Sequence, residues 1–117
     1  MKGLETYSVI AVPFPFTDRS ATKKRPALVI SSPSGFGNLI GHSVMAMITS
    51  SKNSHWPLDV ELKDLKSAGL SSASMVRMKL FTLDHRMVIS VIGKLSRVDR
   101  MAIQDSLKKL FLTEGND

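Results

Sequence analysis

The apolar residues of this chain come in short runs with hard stops, and that spacing narrows the fold more than any single motif does. Val9-Ile10-Ala11-Val12 is closed by Pro13-Phe14-Pro15-Phe16, and Ala27-Leu28-Val29-Ile30 by Ser31-Ser32-Pro33-Ser34-Gly35. Runs of this length between turn residues read as buried strands. Residues 42–50 predict another strand, and Asp59-Val60-Glu61-Leu62 alternates like a half-exposed one. Residues 74–78 and 80–83 extend the pattern to the turn Asp84-His85-Arg86, and 87–92 are the last clear strand, with Gly93 placed to bend it. Between them, residues 63–68 can make one or two helical turns ended by Gly69.

Only the C-terminal segment, about 97–112, has the period of a full helix. Ser96 is placed to cap it, with Asp99 three residues on as in a capping box. Ile103, Leu107, Leu110 and Phe111 fall on one face, and Lys108 and Lys109 suit the negative end. Val98, Met101, Ala102 and Leu112 form a second apolar group, which suggests a partner surface and a homodimer, the alternative being a deep groove of the chain's own barrel that covers both faces. Many short strands followed by one helix imply a single mainly β domain over residues 1–117: a small, strongly curled antiparallel sheet or barrel with the helix packed on it.

The net charge of +6 favours an anionic partner, of which nucleic acid is the commonest, beside the plainer reading of a solvated basic surface. The absence of cysteine excludes disulfides, thiolate metal sites and cysteine nucleophiles. No apolar run approaches the ~20 residues of a membrane span, and the N-terminus lacks the apolar core of a secretory signal. The expectation is a cytoplasmic protein. There is no H-E-x-x-H, no G-x-S-x-G and no histidine pair at ligand spacing, so no metal or other cofactor is expected. His42, His55 and His85 stand in separate segments.

What remains is a set of cations and hydroxyls at strand ends: Arg25, Thr49, Ser50 and Arg77. Arg25 ends the run Lys23-Lys24-Arg25, and Pro26 pushes it toward extended backbone at the mouth of a core strand. A guanidinium held there suits an anion bound by two parallel hydrogen bonds. A solvated arginine is the plainer reading of that segment taken by itself. If the four converge, they form a phosphate clamp able to stabilise a phosphorane-like transition state.

Six strings in register carry a resemblance: Val12-Pro13-Phe14-Pro15-Phe16-Thr17-Asp18; Lys24-Arg25-Pro26-Ala27-Leu28-Val29-Ile30-Ser31; Ile48-Thr49-Ser50; Asp59-Val60-Glu61-Leu62; Leu80-Phe81-Thr82-Leu83-Asp84; and Ile92-Gly93-Lys94-Leu95-Ser96. Together they resemble the PemK/MazF family of toxin ribonucleases, over nearly the full chain. The resemblance implies the toxin half of a type II toxin–antitoxin pair, with an SH3-like barrel shared with the gyrase poison CcdB and a C-terminal helix. It also implies a homodimer, an acidic antitoxin partner and DNA binding by the toxin–antitoxin complex. The implied activity is metal-independent, sequence-selective cleavage of single-stranded RNA by 2′-OH attack, leaving 2′,3′-cyclic phosphate and 5′-OH ends. The family's catalytic arginine falls on Arg25, its threonine on Thr49, and the later arginine of some members on Arg77. Phe16, Lys24, Ser50, Lys52 and Trp56 are the expected RNA contacts, with Phe16 or Trp56 stacking on a base.

Two departures stand out. Tyr7-Ser8 occupies the place where members often have Gly-Asp, which bears on the turn before the first strand. Lys79 occupies the place where members that use the later arginine can carry an acid. Either Arg25 and Thr49 suffice, or His85 or His42 assists, or cleavage is weak. A CcdB-type poison that binds protein and an RNA-binding barrel without cleavage remain open on the same fold.

Overall fold

The structure is a computed structural model that describes residues 4–13 and 24–111. The expectations for Phe16, for Lys23 and for Leu112 fall outside those residues. Six strands form one antiparallel sheet: β1 (Ser8–Pro13), β2 (Lys24–Val29), β3 (His42–Ser50), β4 (Val60–Glu61), β5 (Ser74–Asp84) and β6 (Ser90–Lys94), in the order β4-β5-β3-β2-β1-β6. Three helices accompany them: α1 (Asn38–Ile40), α2 (Leu65–Ala68) and α3 (Arg97–Phe111). The fold is the mainly β, curled sheet with a C-terminal helix that the run pattern predicts. No helix among the described residues is long and apolar enough to cross a membrane.

The sheet carries a core on each face, which explains why the first two strands do not alternate. Val9, Leu28, Ala46, Ile48 and Val76 point to one side, where Leu62, Ala68, Leu95 and Ile103 of α3 close over them. Ile10, Val12, Ala27, Val29 and Met45 point to the other, with Leu4. Both kinds of position in β1 and β2 are therefore apolar, and the strands read as unbroken runs.

Helix α3 buries Asp99, Ile103 and Ser106. Two of these are polar, and both are used to hold the connections around β4. The Asp99 carboxylate accepts from the Lys63 and Asp64 amides at 2.9 and 3.0 Å, and the Ser106 hydroxyl donates to the Leu58 carbonyl at 3.2 Å. This corrects the expected capping box: Asp99 turns inward to a neighbouring loop, and Ser96 Oγ is buried without a hydrogen-bond partner among the described residues. Leu110 and Phe111, expected on the core face, are 37% and 68% exposed. Helical period fixes a face, but not how far the sheet extends beneath it.

The last strand also shifts. Residues 85–87 form a 3₁₀ turn, fixed by the Asp84 carboxylate accepting from the Arg86 amide at 2.8 Å, so β6 begins only at Ser90. Its register against β1 slips between Val9 and Ile10. There the backbone of α2 lies directly on β6: a Cβ on Gly93 would collide with the Ala68 and Ser67 backbone, and one on Gly69 with the Ile92 carbonyl. Gly93 is thus required by close approach as well as by the bend. Ahead of β1, Tyr7 adopts φ +71, a conformation that glycine takes without strain. Backbone hydrogen bonds from Tyr7 to Val29 (2.7 Å) and from Leu95 to Tyr7 (3.1 Å) hold it there.

Candidate functional site

β2 and β3 pair with Ala27 opposite Met47 and Leu28 opposite Ala46. Beyond that pairing the two strands run on to Arg25 and Thr49, which line one cleft. Both lie where their strands reach the edge of the core, with Arg25 exposed and Thr49 half-buried. They share a cleft of about 360 Å³ with Pro26, Ile48, Ser50, Asn53, Leu70, Ser71, Ser72 and Ser74. Arg25 forms no side-chain hydrogen bond or ion pair with a described residue, so its donors face the cleft unspent. Around it stand hydroxyls and one carboxamide, and no acid or imidazole is among the lining residues. Such a surface is built to donate hydrogen bonds to an anion.

The loop after Thr49 forms one wall. The Asn53 Nδ2 donates to Thr49 Oγ1 at 2.7 Å, and the Asn53 amide to the Ser50 carbonyl at 3.0 Å. The Lys52 amide donates to Ser50 Oγ at 3.2 Å. Farther along, the Trp56 amide donates to the Asp59 carboxylate at 2.7 Å and the Asp59 amide to the Trp56 carbonyl at 3.2 Å, a reciprocal turn that shapes the loop's far end.

Arg77 is placed differently from the expectation of a free cation beside the phosphate. It lies on β5 opposite Met47, and its guanidinium pairs with Asp59, Nε to Oδ1 at 3.2 Å and Nη2 to Oδ2 at 3.0 Å. Nη2 also donates to the Ser54 carbonyl, and the guanidinium carbon lies 4.7 Å from the centroid of the Trp56 ring. Only 8% of Arg77 is exposed. Its charge is matched locally, and its contacts run to the loop. Burial works to raise the Asp59 carboxyl, yet the hydrogen bonds from Arg77 and the Trp56 amide and the charges of Arg77 and His55 outweigh it and hold the group below its ordinary value.

The structure therefore brings together Arg25, Thr49 and Ser50. Lys24, Lys52 and Trp56 are exposed on the flanking segments but do not line the cleft. Lys79 falls in a two-residue bulge of β5: Ala46 faces Leu80 and Met47 faces Arg77, leaving Met78 and Lys79 between. His42 and His85, the two histidines considered as helpers, are elsewhere. His42 opens β3, and Thr49 stands seven residues along the same strand, a separation of about 23 Å at the rise of an extended chain. His42 and His85 line a hollow of about 590 Å³ with Asp84 and Arg86. There the Asp84 carboxyl is held well below its usual range by hydrogen bonds from Arg86, and His85 Nε2 is tied to the buried Ser43 hydroxyl at 2.7 Å. Neither histidine can assist Arg25 within one chain.

The sequence reading missed Asn53, Ser71, Ser72 and Ser74 as cleft residues, and Asp59 as the partner of Arg77. The serines carried no signal, since a polar residue between strands looks the same whether or not the loop folds back on a site.

Residues 5–111 match the family described as PemK-like, MazF-like toxins of type II toxin–antitoxin systems. The chain belongs to the PemK/MazF family. Solved PemK/MazF structures share its fold. An endoribonuclease in complex with its cognate antitoxin from a mycobacterial species superposes with a TM-score of 0.72 at 14% identity, covering 96% of this chain and 99% of that one. A MazE–MazF complex from Deinococcus radiodurans gives 0.69 at 18% identity, covering 96% and 98%. The Mycobacterium tuberculosis toxin MazF-mt6 gives 0.69 at 16% identity, covering 92% and 99%. Among curated proteins, none matches the sequence significantly.

Proposed function

We propose that this PemK/MazF toxin is a cytoplasmic endoribonuclease that cuts single-stranded RNA without a metal ion, with Arg25 and Thr49 as its catalytic residues. The observation that carries the reading is the cleft itself: an arginine that pairs with no described residue and a threonine hydroxyl from adjacent strands, ringed by hydrogen-bond donors. The ribose O2′ attacks the adjacent phosphorus as its proton passes to a solvent water. The P–O5′ bond breaks, O5′ takes a proton from water in turn, and the products are a 2′,3′-cyclic phosphate and a 5′-hydroxyl. Two negative charges gather on the non-bridging oxygens of the phosphorane. Arg25 meets them with two parallel N–H donors, and Thr49 donates its hydroxyl proton to one of them, with Ser50 adjacent. Donors aimed at charge that grows in the transition state lower the barrier more than they tighten the ground state.

Arg77 serves the same site through the loop it holds, since Asp59 cancels its charge. Lys24 and Lys52 supply the exposed positive potential for the RNA backbone. Trp56, 43% exposed, offers an indole on which a base stacks. The protein works as a homodimer and is silenced by an acidic antitoxin. The test is incubation of the purified protein with a mixed-sequence RNA in EDTA, followed by end-group analysis. Cleavage with 2′,3′-cyclic phosphate and 5′-OH ends is expected. Intact RNA, or cleavage that needs added metal, overturns the reading.

A further inference from the structure

We infer that Asn53 is a positioning residue that aims the Thr49 hydroxyl at the scissile phosphate. The inference rests on the ribonuclease reading and concerns how that site is set. A threonine hydroxyl has one proton and two lone pairs, and rotation about its C–O bond sends the proton to whichever acceptor is nearest. For Thr49 to stabilise a phosphorane, that proton must point into the cleft. The Asn53 Nδ2 lies 2.7 Å from Thr49 Oγ1 and donates to it. A carboxamide nitrogen cannot accept a hydrogen bond in return. It therefore fills a lone pair of Oγ1 and leaves the threonine proton for an acceptor on the cleft side.

The loop places Asn53 for this purpose. Its amide closes a turn onto the Ser50 carbonyl at 3.0 Å, one residue from Thr49. One residue past Asn53, the Ser54 carbonyl accepts from Arg77, itself anchored on Asp59. The turn and the ion pair fix the loop on both sides of the carboxamide. Asn53 is exposed, so core packing does not account for it, and it lines the same cleft as Arg25. Aspartate at this position would accept the threonine proton and turn it away from the phosphate. It would also add a negative charge to an anion site.

The test is cleavage of one short single-stranded RNA by wild type, Asn53→Ala, Thr49→Ala and the double variant, with Asn53→Asp followed against pH. Asn53→Ala is expected to lower kcat by about fivefold to tenfold, the scale of one net hydrogen bond, with KM little changed. In the Thr49→Ala background the same change is expected to cost nothing further, because a positioning residue acts through the hydroxyl that is gone, whereas a direct contact of Asn53 with substrate would still show. Asn53→Asp is expected to be slower than Asn53→Ala at pH 7. Relative to wild type at each pH it should recover toward about pH 4, where a protonated carboxyl again donates to Oγ1. Thermal unfolding of the three single variants should stay close to wild type, as Asn53 is exposed and Thr49 is only half-buried. If Asn53→Ala cleaves as fast as wild type, or its loss multiplies with that of Thr49→Ala, the positioning role is overturned while the ribonuclease reading stands. A wild type that cleaves nothing removes both.

Discussion

The Arg77 guanidinium and the Asp59 carboxylate form a two-point ion pair whose side chains are only 10% and 3% exposed, and the pair ties β5 to the far end of the loop that walls the cleft. Removing one member leaves the other charge nearly buried and alone. Arg77→Ala is expected to cost about 3 kcal/mol in urea unfolding, and Arg77→Met with Asp59→Leu to recover part of that. The pair also sets a pH dependence. Because the folded Asp59 carboxyl lies below its ordinary value, its contribution is full at neutral pH. It begins to fade as pH falls through about 4, where the unfolded chain starts to bind the proton, and is lost through the lower folded value. The stability gap between wild type and Asp59→Asn should therefore close on acidification. A gap that stays constant to pH 2 would show that the pair contributes no charge-dependent stability.

If Arg77 acts through the loop, its loss should raise KM for RNA more than it lowers kcat, whereas Arg25→Ala should remove cleavage with the fold intact. Arg25 is exposed and pairs with no other described residue, so its deletion leaves no described group buried without a partner. Losing its donors to the phosphorane is expected to cost about 3 kcal/mol of transition-state stabilisation, roughly a hundredfold or more in kcat. Thr49→Ala should be the milder change, since a neutral donor contributes less than a charged one. Single-turnover kinetics on the three variants checks the order. A larger loss from Thr49→Ala than from Arg25→Ala would reverse the roles.

The succession of short strands, and the place of Arg25 at the mouth of one of them, were legible for a physical reason. Residues 9–12 of β1 and 27–29 of β2 are buried against the two cores, so both faces of these stretches are apolar, and Arg25 is the charge standing just before the second run. β3 reads correctly from His42 to Ser50, and Gly69 marks the end of α2 by its left-handed φ of +75. Asn53, Asp59 and Asp99 were not legible in these roles. Each acts on a group that the fold brings to it, and local periodicity carries no trace of that partner. Asp99 shows the difficulty best. Its place in the first turn of α3 is right for a cap, yet the Lys63 and Asp64 amides, packed against the helix, claim both of its oxygens.

The homodimer is tested on the edge of the sheet. Among the described residues β6 pairs only with β1, with Val91 and Ile92 at 54% and 37% exposure, and α3 exposes Val98 at 54% and Met101 at 57%. An open strand edge beside apolar side chains invites a second copy. Of the second apolar group expected on the helix, Ala102 is instead spent on the chain's own core. Light scattering at micromolar concentration should give the dimer mass for wild type. Val98→Asp with Met101→Asp should give the monomer without a change in circular dichroism. A wild type that stays monomeric, or a double variant that stays dimeric, moves the partner surface elsewhere or removes it.

The antitoxin is expected to silence the protein by lying across the cleft proposed to take RNA. Lys24, Arg25 and Lys52 are exposed on the two segments that flank it, and a groove that draws phosphates also draws carboxylates. The exposed part of the Trp56 ring adds an apolar foothold for the partner that salt does not screen. A disordered acidic segment loses entropy on ordering, so it must make a long contact, and a contact of that length covers the cleft. RNA and the antitoxin segment should therefore exclude each other in a fluorescence competition assay. With three exposed cations neutralising phosphates, the affinity for an uncleavable RNA should fall with a slope of about −2 in log K against log salt. Lys52→Glu should flatten that slope. The antitoxin's own slope should be shallower, because its apolar contacts persist as charge is screened. A ternary complex that keeps full affinity for both partners would instead require an inhibitory site remote from Arg25, coupled to it through the fold.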